Sequence, residues 1–347
     1  MIRVLIVDDS LTLREYLKEI FIMDGRFQVI GEARDGHEAI KKVKILNPDV
    51  VTMDIQMPGM DGYEATRRIM EEHPVPIVIV SAAWIPEEVE STFKAMKVGA
   101  VAGVRKPEGV TSLNFKNDVR DMLNTIKLMS EVKVIRRRPQ SDPYKKAIAT
   151  SSTTDTKVSK SNYEILAIGA STGGPPVLQS IFANLSPSIS TPIIVVQHIT
   201  SGFTSGLVDW LDKTTSLSIH IATEKQQLLP GHVYFAPDNK HMGVHSNKTI
   251  FLTNEPPEHS IRPSVSFLFR SVCKSFGSKA IGVLLTGMGK DGAQELKEMR
   301  DRNAITIAQD QQTSTVFGMP GEAVRLDGAR YVLSPDNIVR RLNYWIG

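Results

Sequence analysis

Cysteine is nearly absent. Cys273 is the only one in 347 residues, which excludes an intrachain disulfide and a secreted disulfide framework. No apolar run reaches the length that crosses a bilayer. A large excess of either charge is missing too: a formal net charge of +3 lacks the basic footprint of a dedicated nucleic-acid binder. Asp8 and Asp9 fall too early for a secretory leader, so a cytoplasmic protein with no membrane insertion and no DNA partner is expected. What is present is ordinary. With 41% hydrophobic and 23% charged residues, the chain suffices for two domains with full cores.

Short β-branched runs alternate with amphipathic stretches in the first half. Arg3–Val7, Gln28–Gly31, Asp49–Met53, Ile77–Val80 and Ala100–Val104 read as strands. Leu11–Met23 and His37–Leu46 read as helices, and a last helix is expected over about Ser112–Val134. This alternation implies βαβ units and a parallel sheet. The composition then shifts: Lys127–Lys160 holds nine basic and three acidic residues, including Arg136-Arg137-Arg138. With few large apolar residues it reads as a flexible basic linker, the arginine run being a solvated tether or a contact for an anionic partner. A second α/β pattern follows, with strands at Glu164–Ile168, Pro192–Gln197, Val233–Ala236, Ile281–Thr286 and Ala304–Ala308 and helices at Pro175–Leu185 and Ser264–Phe276. Cys273 shares the apolar stripe of the last helix and reads as a buried small hydrophobe. The expected fold is therefore α/β, two doubly wound parallel-sheet domains: residues 1–128, a linker over 129–160, and residues 161–347. A monomer is the default.

Parallel α/β sheets bind ligands beyond the carboxyl ends of their strands. In the first half acids collect there. Asp8 and Asp9 end the first strand, Asp54 ends the third, Ser81 ends the fourth, and Lys106-Pro107 follows the fifth. Any one of these acids alone is a solvated loop residue. Three at one rim repel one another unless a cation neutralises them, and an all-oxygen set suits Mg²⁺. Lysine and hydroxyl complete a site for a phosphoryl group, with Asp54 as nucleophile. Val7-Asp8-Asp9-Ser10, Asp54 through Gly62 and Lys106-Pro107 resemble the receiver domain of two-component response regulators. The resemblance, over about residues 1–128, implies a flavodoxin-like receiver. It implies Asp54 as phospho-acceptor, Asp8, Asp9, Asp54 and the Gln56 carbonyl as Mg²⁺ ligands, and Ser81 and Lys106 as phosphoryl contacts. A chemotaxis histidine kinase would be the phosphodonor. Gly103 stands where receivers usually carry an aromatic residue.

The second half opens with a strand, Gly169-Ala170-Ser171-Thr172-Gly173-Gly174, and a proline-started helix. That matches G-x-S-x-G at a strand–turn–helix elbow, which leaves the serine hydroxyl at the sheet rim. The helix N-terminus offers N–H groups to a developing oxyanion. A glycine-rich dinucleotide loop is the rival reading. It wants an acid at the end of the next strand, and that strand ends in His198, which suits a general base. Asp291, in the glycine-rich loop after Ile281–Thr286, would orient the imidazole. His220, His232, His241, His245 and His259 read as surface or turn residues, with His241 the reserve base. No histidine pair on a helix has metal-ligand spacing, so no cofactor is expected in this half.

Gly169–Gly174, Val196-Gln197-His198, Leu284–Ala293 and Gln309–Pro320 resemble the chemotaxis receptor-glutamate methylesterases, over about residues 162–346. The resemblance implies a Rossmann-like three-layer domain with Ser171 as nucleophile, His198 as base, Asp291 as orienting acid, and Thr172 and the Met288 N–H at the oxyanion. It implies hydrolysis of glutamyl γ-methyl esters on chemoreceptor cytoplasmic helices, with glutamine deamidation as a second activity. The family's His-Arg-Pro-Ser-Val-Asp appears here as Ile261 through Ser266, near the expected substrate groove. A receiver fused to an esterase suggests gating by Asp54 phosphorylation. A DNA-binding output would need a basic helix-turn-helix in place of five strands; a non-catalytic receptor-binding adaptor is the remaining alternative.

Overall fold

The computed structural model describes residues 1–81, 86–107, 115–132, 134 and 163–347. The first unit has strands β1 (Ile2–Val7), β2 (Phe27–Ala33), β3 (Val50–Met53), β4 (Ile77–Ser81) and β5 (Ala102–Arg105). Its helices are α1 (Leu11–Asp24), α2 (Gly36–Leu46), α3 (Gly62–Glu72), α4 (Pro86–Val98) and α5 (Phe115–Ser130). The five strands are parallel in the order β2-β1-β3-β4-β5, the flavodoxin-like order. β3 and β4 are buried throughout because helices cover both faces. Asp35 and Asp61 start α2 and α3 by accepting the N–H of Glu38 and Glu64.

The second unit has strands β6 (Ile165–Ala170), β7 (Ile193–Gln197), β8 (Ser218–Ile221), β9 (His232–Phe235), β10 (His241–Val244), β11 (Ile250–Thr253), β12 (Ala280–Leu284), β13 (Ile305–Gln309) and β14 (Tyr331–Leu333). Its helices are α6 (Gly174–Asn184), α7 (Phe203–Thr214), α8 (Val265–Phe276), α9 (Ala293–Asp301), α10 (Met319–Arg325) and α11 (Pro335–Ile346). Seven strands form a parallel sheet, order β14-β13-β12-β6-β7-β9-β8, and β10-β11 is a separate antiparallel hairpin. Core residues of α6, α7 and α11 cluster on one side and those of α8, α9 and α10 on the other, giving three layers. The direction of winding reverses between β6 and β12, and between β1 and β3 in the first sheet, which makes each a switch point.

The strand and helix positions expected from the sequence hold to within a few residues. The last helix of the first unit is described over Phe115–Ser130; it ends earlier than expected and enters the expected linker by two residues, and residues 112–114 of the expected helix lie outside the described residues. The rest of that linker, with Arg136–Arg138, lies outside the described residues apart from 131, 132 and 134. Three described four-residue strands, β8, β10 and β11, went unread because their alternation is too short to separate from loop.

The two units touch along α4 and α7. Phe93 and Trp210 stack with centroids 5.1 Å apart and planes 20° apart, and both rings are buried. One apolar cluster therefore runs unbroken from the first sheet to the second. Such an aromatic pair contributes about 0.5–1.5 kcal/mol beyond its area burial.

Candidate functional site

Ser171 and His198 leave adjacent strands side by side. Ala170 of β6 is in register with Gln197 of β7, so the next residues start one strand spacing apart, about 4.8 Å. The His198 N–H continues the ladder to Ala170 O at 2.9 Å. Gln197 ties the two turns together: its Nε2 donates to Ser171 O and His198 O, each at 2.8 Å. Gly173 supplies the positive φ, +76°, that starts α6. Gly287 permits the close approach of the β12 turn, since a Cβ there would lie 2.7 Å from Ser171 Cβ.

Asp291 arrives from the loop after β12 and is 2% exposed. Its Oδ2 accepts Val265 N–H at 2.6 Å. Its Oδ1 accepts Ser264 Oγ–H at 2.9 Å and Ser266 N–H at 3.0 Å. The carboxylate thus sits on the N-terminus of α8, whose free N–H groups favour an anion. His198 Nε2 lies 2.9 Å from Asp291 Oδ2, although the ring N–H is not aligned with that oxygen. Burial alone would raise the Asp291 pKa. The His198 contact and the Ser266 bonds outweigh it and hold the carboxyl well below the usual carboxylate range.

Ser171, Thr172 and His198 line one cavity of ≈ 680 Å³, which also takes in Gly103, Asn124 and Leu128 of the first unit. The Ser171 N–H is engaged by Thr286 O at 3.0 Å. Among the described residues, no backbone carbonyl takes the Met288 N–H. Gln309, fully buried, accepts Thr286 N–H at 2.8 Å and so steadies the turn bearing Met288. The sequence reading missed Gln197 and Gln309. Their signal was a glutamine at the last position of a buried strand.

His241 is neither a surface nor a turn residue, contrary to expectation. It is fully buried, its Nδ1 accepts Ser264 N–H at 3.2 Å, and its Nε2 meets Pro256 O at 3.1 Å. With both nitrogens engaged it is a structural brace and not a base. His220 on the edge strand β8 and His232 on its neighbour β9 are half-buried, and His245 and His259 are exposed. Cys273 is buried as expected, and burial pushes its thiol upward.

At the first rim, Asp8, Asp9 and Asp54 bring one carboxylate oxygen each to within 4.8 Å of one another. Lys106 Nζ lies 2.7 Å from Asp8 Oδ2 and 3.2 Å from Asp54 Oδ2. Ile55 N–H donates to Asp54 Oδ1 at 2.9 Å. Ser81 is buried at the end of β4, and its carbonyl accepts Lys106 N–H at 2.8 Å. Gln56 is exposed two residues past Asp54. Burial is the main cause that pushes Asp54 up to about 6; Lys106 opposes it and Asp8 adds to it. Burial would lower the Lys106 pKa, and the two carboxylates turn the net shift upward. Crowded all-oxygen donors with exposed Asp9 at the mouth fit a hard divalent cation such as Mg²⁺. Gly103 lets α4 close on β5: a Cβ there would meet Thr92 Cγ2 at 2.5 Å.

Residues 166–342 match the CheB methylesterase family and residues 4–115 the response regulator receiver domain. The chain is 49% identical to a "protein-glutamate methylesterase/protein-glutamine glutaminase 1" of Syntrophus aciditrophicus, over 99% of this chain and 97% of that one. It is 50% identical to a similarly named protein of Geobacter metallireducens, over 99% and 98%. The Thermotoga maritima CheB methylesterase catalytic domain superposes with TM-score 0.51 at 37% identity, covering 53% of this chain and 98% of that one. The polypeptide joins a receiver to a serine-bearing α/β unit; the chain belongs to the CheB methylesterase family.

Proposed function

We propose that this chain is a phosphorylation-regulated protein-glutamate methylesterase and protein-glutamine deamidase of chemotaxis, acting in the cytoplasm on chemoreceptor helices. Ser171 Oγ attacks the glutamyl ester carbonyl while His198 takes its proton. Asp291 holds the imidazolium that forms. Thr172 and the Met288 N–H meet the oxyanion, next to the N-terminus of α6. His198 returns the proton to the leaving methoxide, methanol departs, and water releases the acyl group by the same steps. With a glutamine substrate the leaving group is ammonia. The observation that carries this reading is the shared rim, where Ser171 and His198 leave paired strands and Asp291 approaches the imidazole.

In the receiver, Asp54 would take the phosphoryl group from a histidine kinase, with Lys106 and Ser81 holding its oxygens. Asp8, Asp9, Asp54 and the Gln56 carbonyl would bind Mg²⁺, which supplies charge neutralisation when bound. Residues of α4 and α5 line the same cavity as Ser171 and His198, and α4 packs on α7. A dianion on Asp54 would destabilise this packing and free the cavity. Methanol release from methylated receptor tests the reading. Wild type should release methanol and do so faster with a small phosphodonor. Ser171→Ala should release none, and Asp54→Asn should lose the stimulation. Release that survives Ser171→Ala would leave the chain a receptor-binding adaptor whose esterase signal comes from elsewhere.

A further inference from the structure

We propose that Ser266, Glu295 and Arg270 form a positioning unit that locks the Asp291 loop to the substrate-side wall of the cavity. The inference rests on the hydrolase reading of Ser171. It begins at Ser266, 1% exposed in the first turn of α8. A hydroxyl has one proton to give. Ser266 Oγ gives it to Glu295 Oε2 at 2.6 Å and accepts the N–H of Gly292 at 2.9 Å. Gly292 directly follows Asp291. The direction of one hydroxyl therefore sets the end of the loop that presents the acid to His198.

Glu295 is buried, and its other oxygen accepts Arg270 Nη1–H at 3.0 Å. The second arm of the same guanidinium, Nη2, donates to Glu258 Oε1. Glu258 closes a turn on itself: its N–H reaches Ile261 O at 3.1 Å, and Ile261 N–H reaches Glu258 O at 2.9 Å. His259, Ser260 and Ile261 of that turn line the cavity of Ser171 and His198. One planar fork thus holds two carboxylates, one under the substrate wall and one behind the Asp291 loop. Arginine suits this because its donors are fixed in a plane, whereas lysine offers a single point charge. Arg270 is further held 6.0 Å over the Phe267 ring. None of the three residues faces the reacting atoms, so each acts through Asp291 and the wall.

The test uses the full chain with a phosphodonor and reads kcat and KM for methanol release from methylated receptor. It also reads the rate at which a small fluorophosphonate labels Ser171, which needs no receptor docking. Ser266→Ala, Glu295→Gln and Arg270→Gln are expected to lower kcat and the labelling rate by roughly ten- to a hundredfold, with KM unchanged to within about twofold. Arg270→Lys should recover part of the loss. Folded variants with wild-type kcat and labelling, and only a lower melting temperature, would overturn the proposal; so would a rise in KM alone. If the larger changes prevent folding, Arg270→Lys decides: an intermediate kcat supports the unit and a wild-type kcat refutes it. A wild-type chain that neither labels nor releases methanol sinks the hydrolase reading itself, and the unit with it.

Discussion

The two units use the same device, a parallel sheet with its chemistry at the switch point, and treat a buried aspartate in opposite ways. Asp54, 8% exposed, receives one backbone N–H and shares Lys106 with Asp8, so burial dominates and its pKa rises to about 6. Asp291, 2% exposed, receives two N–H groups and a hydroxyl from the start of α8 and faces His198; its pKa falls. Burial depth does not separate them. Their neighbours do: His198 and then the Ser266 bonds lower Asp291, whereas Asp8 adds to the rise at Asp54 against Lys106. An under-satisfied carboxylate is suited to bind a cation and gain a phosphoryl group. A saturated one is suited to stay charged and steady an imidazolium.

That contrast can be broken in graded steps. Ser171→Ala should remove at least about 10⁴-fold of the methanol-release rate, since the nucleophile is the group the other members serve. Asp291→Asn should cost roughly 10³–10⁴-fold in kcat in the same assay, because an amide places donors against the α8 N–H groups and favours the wrong imidazole tautomer. Phe93→Ala should raise the donor-free rate several-fold, on the order of the 1 kcal/mol or more that the Trp210 stack contributes. If it leaves that rate unchanged, the α4–α7 contact does not gate the cavity. The smallest effect is on unfolding. Asp291 has a lowered folded pKa, so its stabilisation is full above its unfolded value near 4 and is lost as pH falls below it. Chemical unfolding of Asp291→Asn between about pH 5 and pH 2 should therefore show a shallower fall in stability than wild type.

Both rims were legible in the sequence because Asp8, Asp54, Ser171 and His198 each directly follow a strand, and Asp291 lies in the glycine-rich loop after another. Local pattern was enough to place Asp8, Asp54, Ser171, His198 and Asp291 at the carboxyl ends of strands. The supports were not legible. Nothing local marks Ser264 and Ser266 as donors to Asp291 more than twenty residues away, or His241 as a buried brace under Ser264. The Phe93–Trp210 stack was equally hidden, since neither α4 nor α7 was read as a helix and nothing local pairs the two rings. Long-range pairs of this kind depend on the folded arrangement, which a single sequence does not spell out.

The most direct measurement is the position of a covalent adduct. Full-length chain treated with a small fluorophosphonate, digested and weighed peptide by peptide, should carry the label on Ser171, with the rate of labelling falling when His198 is replaced by Gln. Label on any other residue, or labelling of Ser171 that is indifferent to His198→Gln, would contradict the account.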